Sequence, residues 1–485
     1  MKNKKVSHLS ITLIIFLMFS ASQVNEVSAI TFSFEEPTRF QNEEWSVIIE
    51  KSTTGVTKSL KFVPNSTDII VHGFTGSSLD EDCYISRMTE DGAVLWISSI
   101  NTTNEDLEIL SLKSGEVIAF TNDLSNVLVL VRSYEPGVGF QLLVYEFALE
   151  DGEFIEKYLI YDKNFGDSVN TYGNIVADPI DDDKFYFSVS NYTSGSEYDF
   201  SLSAWDKSIN GFLWEININT YYRAFCAKMS YWPSLNKIVA MVVAGPGDGS
   251  QNTYMYLFPI DEIVTNPQIE LIDASVEFYQ YFIDFDIYED NIYILTSNGS
   301  KNALMYEEDW YLTIWDTQIN RDYEMIIPAI HSASGLSDIN VIDDSRLILN
   351  GYSYFDYFRN DEVSKELFLS YYEFNEGKSE LNPIAMARFG SSDVQSLWYS
   401  IISNAKGETY CAGSTEYSGG GNYVNIISKF QNIYTSLDIS DAPADNDPED
   451  FLNRFLQQDW LISGIMASTG LVLGGLLISL IKRKK

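Results

Sequence analysis

From Trp45 to Tyr434, short runs rich in Val, Ile, Tyr, Phe and Trp alternate with clusters of Gly, Asn, Asp and Ser, and helical periodicity is almost absent. That alternation of apolar run and turn cluster is the signature of an all-β chain. The runs recur in units that begin near Ser59, Leu107, Tyr172, Ala224, Phe282, Leu336 and Val394. Steps of roughly 50 to 65 residues hold four strands with their turns, and a repeat of that length buries its faces only against copies of itself. The pattern predicts a seven-bladed β-propeller, with six or eight blades as alternative counts and two packed β-sandwich domains as the rival. Aromatic residues, 14% of the chain, suit strands packed face to face.

The turns and the last unit point the same way. Tyr84 to Met88 is followed by Asp91-Gly92 and then Val94 to Ile100, and Ser201 to Trp205 by Asn210-Gly211 and then Phe212 to Ile218. Such dipeptides supply the positive φ that tight hairpins require. The last unit has three strands of its own, Leu397 to Ile402, Glu408 to Gly413 and Val424 to Phe430, while a spare strand, Glu44 to Ile49, precedes the first unit. Donating the spare to the last blade closes the ring and hides an edge strand.

Arg388-Phe389-Gly390-Ser391-Ser392-Asp393, Gly407-Glu408-Thr409-Tyr410-Cys411-Ala412-Gly413-Ser414-Thr415 and Ser428-Lys429-Phe430 resemble the β-propeller repeat of exported bacterial and archaeal surface proteins. Gly73-Phe74-Thr75-Gly76, Asp82-Cys83-Tyr84-Ile85, Arg87-Met88 and Asp91-Gly92 with Leu95-Trp96 are similar to it. The resemblance covers the first and last units; the five between them depart from it in spacing and in most glycines. It implies a surface propeller and brings no catalytic residues.

The two ends predict export and anchoring. Lys2, Lys4 and Lys5 precede an apolar run from Leu9 to Phe19 and then small residues up to Ala29, which is the order of a secretory signal peptide over 1–29. Cleavage after Ala29 is preferred to cleavage after Ser22. Leu461 to Ile481 is apolar and uncharged, with Trp460 before it and Lys482, Arg483, Lys484 and Lys485 after it. This predicts a C-terminal transmembrane helix over 460–481, a cytoplasmic basic tail over 482–485, and everything earlier outside the cell. The propeller then occupies 30–437 and an acidic, proline-bearing stalk 438–459. Gly470 and Gly474 form a GxxxG pair suited to self-association of the helix, or simply reflect membrane-helix composition.

The formal net charge of −38 at pH 7 repels nucleic acid and anionic headgroups, so contact with lipid is expected only through the helix. Cys83, Cys226 and Cys411 are odd in number and far apart, which fits buried thiols. Acceptor sequons for N-glycosylation stand at Asn65, Asn101, Asn191 and Asn298, in polar segments read as loops.

Constellations for chemistry are sparse. His8 leaves with the signal, His72 stands in an apparent strand, His331 lies between units, and no HExxH or GxSxG occurs. No catalytic or cofactor-binding residue is assigned. Asp178, Asp181, Asp182 and Asp183 form the densest acidic cluster outside the stalk; they are candidate Ca²⁺ ligands, or a solvated turn. The longest loops, Gly245 to Asn252, Met305 to Trp310 and Tyr352 to Val363, are expected to carry recognition. Tyr352, Tyr354, Phe355, Tyr357 and Phe358 with Arg359 suit sugar stacking or a protein hot spot, or pack between blades. The sequence thus reads as a surface binding module for an envelope protein or glycan. The alternatives are a structural envelope component and an extracellular polysaccharide hydrolase using a carboxylate pair.

Overall fold

In the strand Lys237–Gly245 the side chains alternate between two cores. Ile238, Ala240, Val242 and Ala244 pack toward the preceding blade, and Val239 and Met241 toward the following one. Successive strand residues point to opposite faces, so a sheet sandwiched between two others must be apolar on both. This is why the central strands read as unbroken hydrophobic runs rather than as clean alternation.

The computed structural model describes residues 31–33, 43–50, 55–75, 82–100, 108–110, 116–135, 139–161, 172–193, 197–218, 223–245, 252–260, 268–273, 278–300, 308–327, 334–355, 364–375, 377–378, 380–389, 396–404, 408–416 and 423–430. These residues form seven antiparallel sheets, the blades of a β-propeller. The first blade runs in the order Gly55–Phe62, Ile69–Thr75, Asp82–Met88, Val94–Ile100. The second to sixth follow over 108–161, 172–218, 223–273, 278–327 and 334–389. Each blade begins within a few residues of the start expected from the repeat. Hydrophobic clusters fill the gaps between neighbouring blades, as where Leu60, Ile69, Val71 and Tyr84 of the first meet Tyr410, Ala412 and Ile427 of the last.

The seventh blade takes its fourth strand from the other end of the chain. Ser396–Ser403, Thr409–Glu416 and Tyr423–Phe430 are joined by Glu43–Glu50, whose Val47 and Ile48 pair with Ile427 and Ile426. A short strand, Thr31–Ser33, adds outside it. A side-chain stitch reinforces the seam: Asn425 Nδ2 donates to the Phe74 carbonyl at 3.0 Å, and Thr57 Oγ1, itself 2.9 Å from the Tyr84 hydroxyl, donates to Asn425 Oδ1 at 3.4 Å. Tyr84 lies across Gly73, where a Cβ would stand 2.5 Å from the phenol oxygen, so only glycine fits.

The expected turn residues are used, one at a time. Gly92 has φ +81° and Asn210 φ +47°, each the single left-handed residue of its turn. Gly211 instead opens the outer strand.

The segment 460–481 expected to span a membrane lies outside the described residues, as do the signal, stalk and tail. Among the described residues no helix is long and apolar enough to cross a membrane.

Candidate functional site

The first strand of each blade lines the propeller axis, and there a polar chain passes from blade to blade around the whole ring. Lys61 of the first blade bonds the Ile118 carbonyl at 3.1 Å and pairs with Glu116 at 2.5 Å. The Glu116 amide donates to Asn174 Oδ1 at 2.9 Å, and Asn174 Nδ2 donates to the Cys226 carbonyl at 3.2 Å. Lys228 pairs with Asp284 at 2.8 Å, and Asp284 in turn accepts from the Ile339 amide at 3.2 Å. Asp338 accepts from the Ile401 amide at 3.2 Å, and Ser400 Oγ accepts from the Leu60 amide at 3.1 Å, which returns to the first blade.

Backbone irregularity aims these side chains. The register slips between Cys226 and Lys228, Phe282 and Asp284, Leu336 and Asp338, and Trp398 and Ser400. A β-bulge turns the residue that follows it toward the neighbouring strand. The same bulge occurs in the first blade between Thr57 and Ser59.

The electrostatics of the ring are crowded. Burial works against the Lys228 charge, yet Asp284, Asp338, Glu116 and Asp286 outweigh it and hold its pKa above the ordinary lysine value. Burial raises Asp286 to about 6, although Lys228 and the Val341 amide favour its charge. Burial and the charge of Asp284, to which it is hydrogen-bonded, push Asp338 well above the usual carboxylate range. Two acids in hydrogen-bond contact share a proton more readily than they hold two charges. Sequence reading passed over this cluster; the available signal was a charged residue inside an otherwise apolar first strand of successive units.

Strands alternate in direction, so the turns from first to second and third to fourth strands share one end of the disc. The connections from second to third strand and from blade to blade share the other. At the turn end the acidic residues are largely spent on turn geometry. Asp178 Oδ1 accepts from the Ile180 and Asp181 amides and its Oδ2 from the Tyr186 hydroxyl, while Asp181 accepts from the Asp183 amide and pairs with Lys184. Asp182 accepts from the Asp123 amide of the second blade, and Asp183 is exposed. Asp123, Asp206, Asp316 and Asp343 each accept from the amide two residues on. An aspartate that closes its own turn is a physical reason for part of the chain's acidity. Among the described residues no group of three or more His, Cys, Asp or Glu stands where it could hold a metal ion.

The other candidates divide between strand and undescribed loop. Tyr352, Tyr354 and Phe355 belong to the strand Arg346–Phe355, opposite Leu367, Lys365 and Ser364, rather than to a loop. Tyr357, Phe358 and Arg359 lie outside the described residues. Trp310 is likewise a correction: it is fully buried in the strand Glu308–Trp315, because the β-rich run from 308 continues the ladder. Asn65 occupies an exposed turn at φ +60°. Asn191 and Asn298 are instead paired in the strands Lys184–Thr193 and Asn291–Ser300, whose Tyr and Thr residues extend the ladder through them. Asn101 lies outside the described residues. Cys83, Cys226 and Cys411 are buried thiols outside any disulfide, and burial pushes the Cys226 thiol up to about 12.

No known protein family matches the chain, and no curated protein does. Similar solved structures include the β-propeller domain of the Trilobed protease from Pyrococcus furiosus, at 11% identity over 77% of this chain and 97% of that one, with a TM-score of 0.41. The polysaccharide lyase Uly1 matches at 10% identity over 77% and 89% of the two chains, TM-score 0.49. Raptor from Chaetomium thermophilum matches at 12% over 81% of this chain and 29% of that one, TM-score 0.46. Likenesses this distant carry no argument about activity, ligand or partner; the strand pairing itself establishes the propeller.

His72 is a structural residue. It is buried in the strand Ile69–Thr75, with Nε2 3.1 Å from Cys83 Sγ and its ring edge-on to Phe74 at 5.1 Å. Burial, helped by the charge of Lys58, lowers its pKa to about 3. The unfolded chain therefore takes up a proton near pH 6.5 that the folded protein refuses until about pH 3. The expected result is that His72 erodes stability by about 1.4 kcal/mol per pH unit as pH falls from about 6 toward 3. Urea unfolding of the wild type and His72→Gln across this range tests it: their stability difference must change with that slope, and a pH-independent difference would rule it out.

Proposed function

We propose that the chain is a membrane-anchored cell-surface propeller that binds an envelope protein or glycan at the end of the disc opposite its tight turns. The observation that carries this reading is topological. The loops expected to carry recognition fall in the connections between Gly245 and Asn252, between Ser300 and Glu308, and between Phe355 and Ser364, which all join a second strand to a third and so leave the propeller at the same end. Rigid strands that deliver several connections to one end form an arrangement on which recognition is usually built. The signal, the anchor and the basic tail support the location from sequence.

A hydrolase reading gains one specific observation, the contact between Asp284 and Asp338 at the axis. Glycosidase carboxylates stand roughly 5 to 9.5 Å apart, with sugar or water between them. Acids hydrogen-bonded to each other, each also accepting a backbone amide of the next blade, are placed to hold blades together.

Thermal unfolding of the full chain against a panel of divalent cations and envelope glycans tests the binding reading. A ligand that binds the folded state alone raises its stability by about 2.7 kcal/mol at a hundredfold excess over Kd. A saturable rise with one ligand, lost when 356–363 is replaced by a Gly-Ser linker, is the expected outcome. Absence of any shift across the panel counts against glycan and calcium together.

A further inference from the structure

Large apolar side chains are exposed at one recurring position. Leu95, Phe154, Ile155, Phe212, Leu213 and Ile269 lie within the first three residues of the outer strands of the first four blades, each between 36% and 52% exposed. The first two blades bring these positions together, and the third and fourth repeat them. Trp96 rests on Gly152, in the turn just before Phe154, and Ser98 Oγ donates to the Gly152 carbonyl, so the outer-strand starts of the first two blades adjoin. The result is an apolar arc along the rim, next to the turn end. Its strands have free outer edges, as at Phe154–Tyr161, the terminal strand of its sheet.

The turns that border the arc are acidic. Asp91, Glu150, Asp151, Glu153 and Asp183 are exposed beside it. The nearby cations are mostly engaged: Arg87 with Asp68, Lys184 with Asp181, and Lys207, largely buried, with Glu146. Lys157 is the exposed exception.

From this juxtaposition of apolar surface and acidic border we propose that the rim of the first two blades is a docking surface for a cationic, amphipathic segment of another protein. Contiguous exposed apolar surface with a polar border marks interaction sites, and the border sets the charge of the partner. A second copy of this chain, at net −38, and an anionic bilayer are both repelled by such a border. The proposal is independent of the loop-end reading above, since it concerns the opposite end of the blades.

The test is fluorescence anisotropy of a labelled octapeptide of alternating Lys and Val, added to the full chain in neutral detergent, with a Glu-Val octapeptide as its charge-reversed twin. Saturable binding of the Lys-Val peptide is expected, weakened about tenfold or more by Leu95→Thr combined with Ile155→Thr. Ile326→Thr, an exposed apolar position on the fifth blade away from the arc, is expected to leave it unchanged. Threonine retains strand propensity at these exposed sites, and a matching thermal transition verifies the fold. Equal binding of the Lys-Val peptide by the double variant overturns the proposal, as does equal binding of the Glu-Val peptide. A dimer in sedimentation that the double variant disperses would assign the arc to a second copy. Flotation with phosphatidylcholine vesicles that the double variant loses would assign it to a bilayer, and either result also overturns the proposal.

Discussion

A chain that starts at residue 51 is expected to lose its cooperative unfolding transition and to aggregate, whereas a chain that starts at Ile30 unfolds in a single step. Among the described residues, Glu43–Glu50 is the strand that ties the N-terminal part of the chain to Tyr423–Phe430, and with it gone the last blade ends on an open edge. That edge belongs to a strand whose Ile426, Ile427 and Phe430 are fully or almost fully buried. Unpaired edges of this kind recruit other chains. The loss is expected to reach on the order of 5 kcal/mol, comparable with the whole stability of many domains. The seam does not lose everything, because Leu60 still bonds Ser400 and Asn425 still bonds Phe74. Circular dichroism melts with light scattering check the outcome, and a synthetic peptide spanning 43–50 supplies a second reading by restoring the transition, with a stability that rises with the logarithm of its concentration. A truncated chain that melts reversibly within a few degrees of the longer one would show that the ring is held by its side-chain contacts and not by the strand.

The closure was readable in the sequence because it rests on counting: a last unit short by one strand and a spare Glu44 to Ile49 at the start leave one economical solution. Blade starts were readable for the same reason, since a period survives the loss of individual glycines. Side-chain direction was not. Tyr352 to Phe355 looked like loop because aromatics beside Gly351 and Asn360 fit a turn cluster as well as a strand end; register with Leu367 to Ser364 decides it. Asn191 and Asn298 looked exposed because Asn is a turn former, yet the Tyr and Thr around them carry the ladder through. The axial ring was hidden by a different cause. A bulge shifts the period-2 pattern by one residue, so the charge of Lys228, Asp284 or Asp338 cannot be assigned to a face until the slip beside it is known. The acidic cluster at Asp178 was legible as a cluster, but whether its oxygens face a cation or their own backbone depends on turn geometry, and there Asp178 closes on Ile180 and Asp181.

Replacing Lys228 by Met is expected to destabilise the protein by about 3 kcal/mol at neutral pH, because it strands acids that the ammonium neutralises. The Lys228 side chain is 25% exposed and that of Asp284 8%, so the loss falls at the lower end of that for a fully buried pair. The pH dependence follows from the carboxylates. Asp286 and Asp338 have folded pKa values raised above their unfolded ones, so in the folded state they hold protons that the unfolded chain has released. Stability from these groups is therefore greatest at low pH and is lost as pH rises through about 4 to 6. Without Lys228 their folded values rise further, and the deficit of Lys228→Met must be largest near pH 7 and shrink toward pH 5. Asp338→Asn works in the opposite sense: it removes an acid that shares its neighbour's proton, keeps an oxygen for the Ile401 amide, and should cost under about 1 kcal/mol at pH 7. Urea titrations of both variants at pH 5 and 7 give the comparison. A Lys228→Met deficit that is the same at pH 5 and pH 7 would mean that the lysine supports the ring through its 2.8 Å bond to the Phe285 carbonyl rather than by neutralising the acids.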